Sequence, residues 1–439
     1  MPTILATAAL FLLATDALNL ELSLLPGLSA KNLLIYLIAV LVGLRLVMGR
    51  GTKVTAAGQL QVAFLAQIVY AIVTLLVGTL IIHYPRYDFM DSFIKLKGTL
   101  IDQYIFFVVF LFGVRTPDDA IKVIKGLLLG ALFVNAVTIL DALGFIQVGL
   151  RIRDDGRVGG AMGESNQYAA FILIFLPATV AAAVAAKGVY RLFWLGSAFV
   201  AAFALVMTAS RGGFMGLAMT CAVGAYLYRH LISYSRVVGW AFGGLVLLVV
   251  VVALSPYGGL LAERMIGQSS ATDPFEASSG RSQIWVDLLA AMFQHPITFI
   301  TGYGWDVYWS MPFMFSPHNH YLALWFNLGL VGLFAGIYLL FSAIARARRA
   351  SVSAPKPYRG QLIAFALGGV GVCTAIFFVD LYSPFYYFWM YGGVVMRLII
   401  CLKENPVLET EAPVTRIASK PRDPYGWAQP AQSTGGVRP

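Results

Sequence analysis

Stretches of about twenty apolar residues recur along the whole chain, and no other feature limits its fold as severely. Runs of that length with few charges are read as membrane-spanning helices. About twelve can be placed, near residues 3–19, 31–48, 61–82, 99–114, 126–146, 167–186, 192–209, 212–228, 237–254, 319–342, 361–380 and 385–402. Composition agrees with this reading. Hydrophobic residues make up 59% of the chain and charged residues 12%, roughly half the charge of a soluble domain. The expected fold is all-α and polytopic, with residues 1–402 forming the membrane domain. The first run, Ile4 to Leu13, has no basic flank before it and no small-residue cleavage site after it, so it reads as a retained helix rather than a signal peptide. Cys221, Cys373 and Cys401 lie inside apolar segments without metal-ligand spacing and read as packing residues.

The distribution of cations sets the orientation. With the N-terminus in the cytoplasm, the clusters around Arg45, Lys122, Lys187 and Arg229 and the densest one, Arg346 to Arg359, all fall inside. Both termini are then expected in the cytoplasm. The formal charge of +10 is accounted for by topology and anionic headgroups, and it does not point to nucleic acid. The tail 403–439, rich in Pro, Ser, Thr and Gly, is expected to be disordered and cytoplasmic. One long outer connection, residues 255–318, is expected to hold short amphipathic helices.

Basic residues left on the outer side are the informative ones. Arg211, in "MTASRGGF", sits between two apolar runs with little room to leave the membrane surface, where an arginine is costly without a partner. The glycines Gly212 and Gly213 allow close approach to the backbone, and the following helix points its N-terminus outward. A guanidinium beside a helix N-terminus suits a phosphate. An arginine snorkelling to headgroups, or paired with a structural carboxylate, is the competing reading. In "SGRSQIWVDLLAAMFQHP", residues Trp285, Leu288, Leu289 and Met292 fall at helical spacing, so a short amphipathic helix is expected on the outer membrane surface, stopped by Pro296. Arg281 lies in its first turn, against the helix dipole. The stretch "TGYGW", Thr301 to Trp305, reads as a glycine turn with aromatic walls that suit a sugar ring.

The segment "SPHNHYLALWF" carries His318, Asn319 and His320 at the outer end of a span. A neighbouring helix N-terminus keeps an imidazole neutral and fit to act as a general base. A capping role for Asn319 and His320 is the second reading, and a metal site the third, since no nearby Asp or Glu supplies further ligands at a metalloenzyme spacing.

Taken in order, "RVGGAMGESNQYAAF", "TASRGGF", "GRSQIW" and "HPITFITGYGW…HNHYLALWFNLGLVG", spanning about Arg157 to Gly332, resemble the O-antigen ligase and polymerase superfamily. That resemblance implies a polytopic glycosyltransferase of the bacterial inner membrane. It would take a glycan from undecaprenyl pyrophosphate on the periplasmic side, with no cofactor. A ligase passes the glycan to a lipid A–core sugar, a polymerase to another repeat unit, and further relatives to protein; the ligase branch is preferred here. The resemblance makes Arg211 and Arg281 the pyrophosphate-binding arginines and His318 the catalytic base. It gives supporting places to Arg157, Asn166, Ser210, Asn319 and His320. The usual pattern, a histidine followed directly by asparagine, favours His318 over His320. Two arginines can neutralise the leaving pyrophosphate, so no metal is required. A lipid-linked glycan flippase is the alternative of a different class. It is disfavoured because polar residues gather at the outer ends of spans rather than at the midplane.

Overall fold

The computed structural model describes residues 1–20, 23–50, 58–152, 156–229, 243, 244, 246, 249–253, 255, 257–266, 280–312 and 314–404. Most of the expected span at 237–254, the acidic pair Asp154 and Asp155 with Arg153, and the tail beyond residue 404 lie outside the described residues.

The protein is an all-α polytopic membrane protein. Its helices, in chain order, are α1 (Pro2–Ala17), α2 (Ala30–Arg45), α3 (Gly58–Val77), α4 (Phe89–Leu96), α5 (Asp102–Gly113), α6 (Pro117–Ala142), α7 (Ser165–Ala185), α8 (Gly188–Met207) and α9 (Arg211–Leu227). They continue with α10 (Tyr257–Ile266), α11 (Arg281–Gln294), α12 (Thr298–Thr301), α13 (His320–Ser353), α14 (Lys356–Ala375) and α15 (Ser383–Glu404). Strand is confined, among the described residues, to two short antiparallel pairs: Ser23–Leu25 with Leu28–Ser29, and Arg151–Ile152 with Val158–Gly160.

Eight helices among the described residues are long and apolar enough to cross a membrane: Ala30–Met48, Gly58–Ile82, Phe89–Gly113, Pro117–Ala142, Ser165–Ala185, Gly188–Met207, His320–Ser353 and Ser383–Glu404. Helix α1, with 16 residues, reaches only about 24 Å at 1.5 Å per residue, short of a ~30 Å hydrocarbon core. Helix α14 opens with the polar sequence Lys-Pro-Tyr-Arg-Gly-Gln and ends at Ala375, five residues before the end of the apolar run that suggested it.

Small residues bring the helices together, as expected where lipid offers no hydrophobic drive to helix association. A Cβ at Gly126 of α6 would lie 2.9 Å from Ala6 of α1, and one at Gly216 of α9 would lie 2.8 Å from the Gly371 carbonyl of α14. Helix α15 runs through the middle of the bundle, with 94% of its membrane window buried.

Three lysines are neutralised by carboxylates. Lys31 pairs with Asp16, Lys95 with Asp306 at 2.8 Å, and Lys97 with Asp102 at 2.8 Å. Asp102 is fully buried and also accepts from Asn32 and Tyr36. These lysines serve as structural cations.

Candidate active site

The site assembles where α7, α9, α11, α13 and α15 all begin. The Arg157-containing stretch folds as a tight turn. Val158–Gly160 is a buried strand, Gly163 N–H donates to Gly160 O at 3.1 Å, and Glu164 then leads into α7. Arg157 is itself buried, at 7% exposure. Asn166, in the first turn of α7, accepts from the Ser210 hydroxyl at 2.7 Å.

Ser210 is the N-cap of α9. Its Oγ also accepts the Gly213 N–H at 3.1 Å, as a serine cap does. Ala209, just before it, holds φ +43, a left-handed conformation that costs a residue with a Cβ about 1–2 kcal/mol. Gly212 and Gly213 were expected to allow another group close to the backbone. The structure fills that space with protein, because a Cβ at Gly213 would lie 2.6 Å from Ala169 and one at Gly212 would lie 2.9 Å from Phe378. The glycines therefore seat the first turn of α9 against α7 and the α14–α15 connection, which fixes the start of the Arg211 side chain.

Helix α11 starts at Arg281, after Gly280 at φ +82. Part of its apolar face packs against the protein itself. Leu288 and Met292 are fully buried against Tyr303, Val307, Leu322 and Phe326, and the Trp285 indole N–H donates to Pro317 O at 2.7 Å. The physical reason is that α13 presents an apolar start of its own, and burying two apolar faces against each other removes both from water. This docking brings Arg281 to the site. Burial lowers its pKa first of all; Glu164 opposes the shift, Arg211 and Arg157 add to it, and Asp380 opposes it. Three arginines and two carboxyls thus share one electrostatic neighbourhood.

The "TGYGW" stretch is a strap rather than a sugar platform. Helix α13 breaks at Gly329 (φ 62, ψ −167). The Phe326 and Asn327 carbonyls near that break accept from Tyr303 N–H at 2.8 Å and Gly304 N–H at 3.0 Å. A Cβ at Gly302 or Gly329 would collide with the opposing backbone. Tyr303 stacks on Phe326 with ring centroids 4.7 Å apart, and Trp305 is buried.

His318 adopts a left-handed backbone (φ +48) immediately before α13. Asn319 is the N-cap, its Oδ1 accepting Leu322 N–H at 3.1 Å. His320 N–H donates to Ile376 O at 2.9 Å, and its ring meets Phe385 edge to face at 5.1 Å. His320 therefore packs inside the protein, while His318 occupies the turn that faces the arginine neighbourhood's carboxyl, Asp380.

Asp380 is the residue that sequence reasoning missed. It lies in the α14–α15 connection, 3% exposed. Its Oδ2 accepts His318 N–H at 3.1 Å and the Ser316 hydroxyl. Its Oδ1 is buried and has no hydrogen-bond partner among the described residues. Burial pushes its pKa up to about 7; the His318 N–H lowers it, Glu164 raises it, and the Asn319 N–H and Arg281 lower it. Gln167 ties this connection to Glu164, receiving Tyr382 N–H at 3.3 Å and donating to Glu164 at 3.5 Å.

The arrangement offers a cluster of three cations, an imidazole on a fixed turn and a carboxyl that titrates near neutrality. Residues 196–337, from within α8 into α13, match the family model described as O-antigen ligase. The match takes in Ser210, Arg211, Arg281, His318, Asn319 and His320, while Arg157, Asn166 and Asp380 lie outside it. None of the curated proteins compared matches the chain.

Proposed function

We propose, from the match of residues 196–337 to the O-antigen ligase family model, that the chain is a member of the O-antigen ligase and polymerase superfamily and an O-antigen ligase-like glycosyltransferase that acts at the periplasmic face of the bacterial inner membrane. The donor is a glycan on undecaprenyl pyrophosphate and the acceptor a lipid A–core sugar. The observation that carries this reading is the convergence of Arg157, Arg211 and Arg281 beside the turn that holds His318.

The chemistry follows from the charges. Arg211 and Arg281 bind the donor pyrophosphate, with planar guanidinium donors suited to phosphate oxygens. The neutral imidazole of His318 removes the acceptor hydroxyl proton as the new bond forms between acceptor oxygen and anomeric carbon. The bond from that carbon to the phosphate oxygen breaks, and its electron pair leaves on undecaprenyl pyrophosphate. The arginines stabilise the charge that develops there. Attack from the face opposite the leaving group inverts the anomeric configuration, with no metal in the scheme.

A polymerase of the same superfamily would use the same groups on a different acceptor. The lipopolysaccharide banding of a strain lacking the protein separates the two. Ligase function predicts loss of all long chains and accumulation of lipid-linked polymer. A single repeat capped onto core would instead assign a polymerase, and an unchanged pattern would remove both.

A further inference from the structure

A groove of about 680 Å³ opens at the far end of α13 from the candidate active site, between α13, α15 and the start of α3. Its lining is graded along the helix axes. Toward the middle of the bundle lie Tyr338 and Phe341 of α13 with Met396, Ile399 and Ile400 of α15. Toward the helix ends lie Ser342, Arg346, Arg349 and Ser353 of α13, Lys403 of α15 and Gln59 of α3. Both helices run in the same direction here, so the two apolar halves and the two cationic ends coincide.

Periodicity explains the grading. Positions 338, 342, 345, 346, 349 and 353 form one stripe of α13, and 396, 399, 400 and 403 form one of α15. Helix α13 has 34 residues, about 51 Å, against a hydrocarbon core of ~30 Å. Its last turns therefore project past the apolar layer, which puts Arg346 and Arg349 at headgroup depth with Phe341 below them.

We propose that this groove binds an anionic phospholipid, its phosphate held by Arg346, Arg349 and Lys403 and its acyl chains lying on the exposed rings of Tyr338 and Phe341. Charge complementarity selects this occupant. Three cations line the polar half, and no lining residue is acidic among those described. The nearest acid in sequence, Glu404, is already paired with Arg397 at 3.6 Å. Arg346 is also held in place, donating to Gln59 Oε1 at 3.1 Å and to Ser342 Oγ at 3.3 Å, so one phosphate ligand is fixed in advance. Basic pockets between spanning helices are where anionic headgroups bind. The exposed ring of Phe341, at 54%, gives the chains an apolar surface that water would not favour. The inference concerns the end of the bundle opposite the transfer site and does not depend on the reaction proposed there.

Native mass spectrometry of the purified full-length protein, titrated with phosphatidylglycerol or phosphatidylcholine of identical chains, tests it. Phosphatidylglycerol should bind at least tenfold more tightly. The Arg346→Gln/Arg349→Gln/Lys403→Gln variant should lose that preference, whereas Lys125→Gln/Arg348→Gln/Lys356→Gln, which removes equal charge outside the groove, should keep it within about twofold. The single Arg349→Gln change, on an exposed side chain, should cost about fivefold per cation removed and guards against a triple variant that does not fold. Equal loss in both triple variants would mean a diffuse surface field and overturn the site. So would retained preference in the groove variants. A tenfold gain on deleting residues 405–439 would identify the chain's own tail as the occupant instead.

Discussion

Replacing Asp380 by alanine should silence transfer without emptying the donor site. In the wild type, Oδ2 accepts His318 N–H at 3.1 Å and the Ser316 hydroxyl, and this grip holds His318 at φ +48. Removing it leaves two half-buried donors without their acceptor, at about 1 kcal/mol each, the low end of the cost of an unmade bond. It also releases a left-handed residue whose conformation costs about 1–2 kcal/mol. Residues 316–319 then gain on the order of 3–4 kcal/mol by moving, ample to abandon the native turn. A displacement of about 1 Å at a reacting group costs ~10²-fold, so kcat should fall by roughly that or more. The donor KM should change less than threefold, because Arg211 and Arg281 stay in place. Asp380→Asn keeps an acceptor oxygen for both donors and should retain activity within about tenfold. The assay is glycan transfer by purified protein from lipid-linked donor to acceptor, with kcat and donor KM separated. An alanine variant within threefold of wild-type kcat would refute the reasoning, as would an asparagine variant as inactive as alanine.

Burial raises Asp380 from the ordinary carboxyl range to about 7, so the folded protein holds that proton more tightly than the unfolded chain between about pH 4 and 7. The associated stability is present at pH 4 and lost as pH rises toward 7. The thermal midpoint in detergent should therefore fall from pH 5 to pH 7.5 in wild type relative to Asp380→Asn, and parallel curves would contradict this. Arg281→Gln should raise the donor Kd at least tenfold with its helix intact by circular dichroism, since Arg281 is the first residue of α11 and lies outside its buried apolar face. Gly302→Ala places a Cβ into the Asn327 backbone at φ +75 and should cost about 2–5 kcal/mol, read as loss of monodisperse protein in detergent. Asp102→Ala leaves Lys97 without its 2.8 Å partner and should destabilise by about 3–5 kcal/mol; a midpoint unchanged within 2 °C would count against the pairing.

What the sequence makes legible follows from how local each signal is. Apolar runs report helices because a span satisfies its own backbone, and Arg211 and Arg281 stand out because cations are unwelcome on that side of the membrane. Asp380 was not legible. It is one acid at the end of an apolar run, and its meaning arises only when the α14–α15 connection folds over the start of α13. The glycines of "TGYGW" mislead for the same reason. Gly302 is required by Gly329, twenty-seven residues away, and no periodicity encodes that crossing. Helix α11 was readable as amphipathic, but not that Leu288 and Met292 would pack against Leu322 and Phe326 at the start of α13.

The central claim is that His318 takes the acceptor proton while the arginines hold the lipid-linked pyrophosphate. Purified His318→Ala protein, assayed side by side for transfer, for release of undecaprenyl pyrophosphate and for donor binding, tests it most directly. The account predicts transfer and release reduced by about 10²–10⁴-fold, with the donor Kd within threefold of wild type. A His318→Ala enzyme that transfers at near wild-type rate, or one that no longer binds donor, would contradict it.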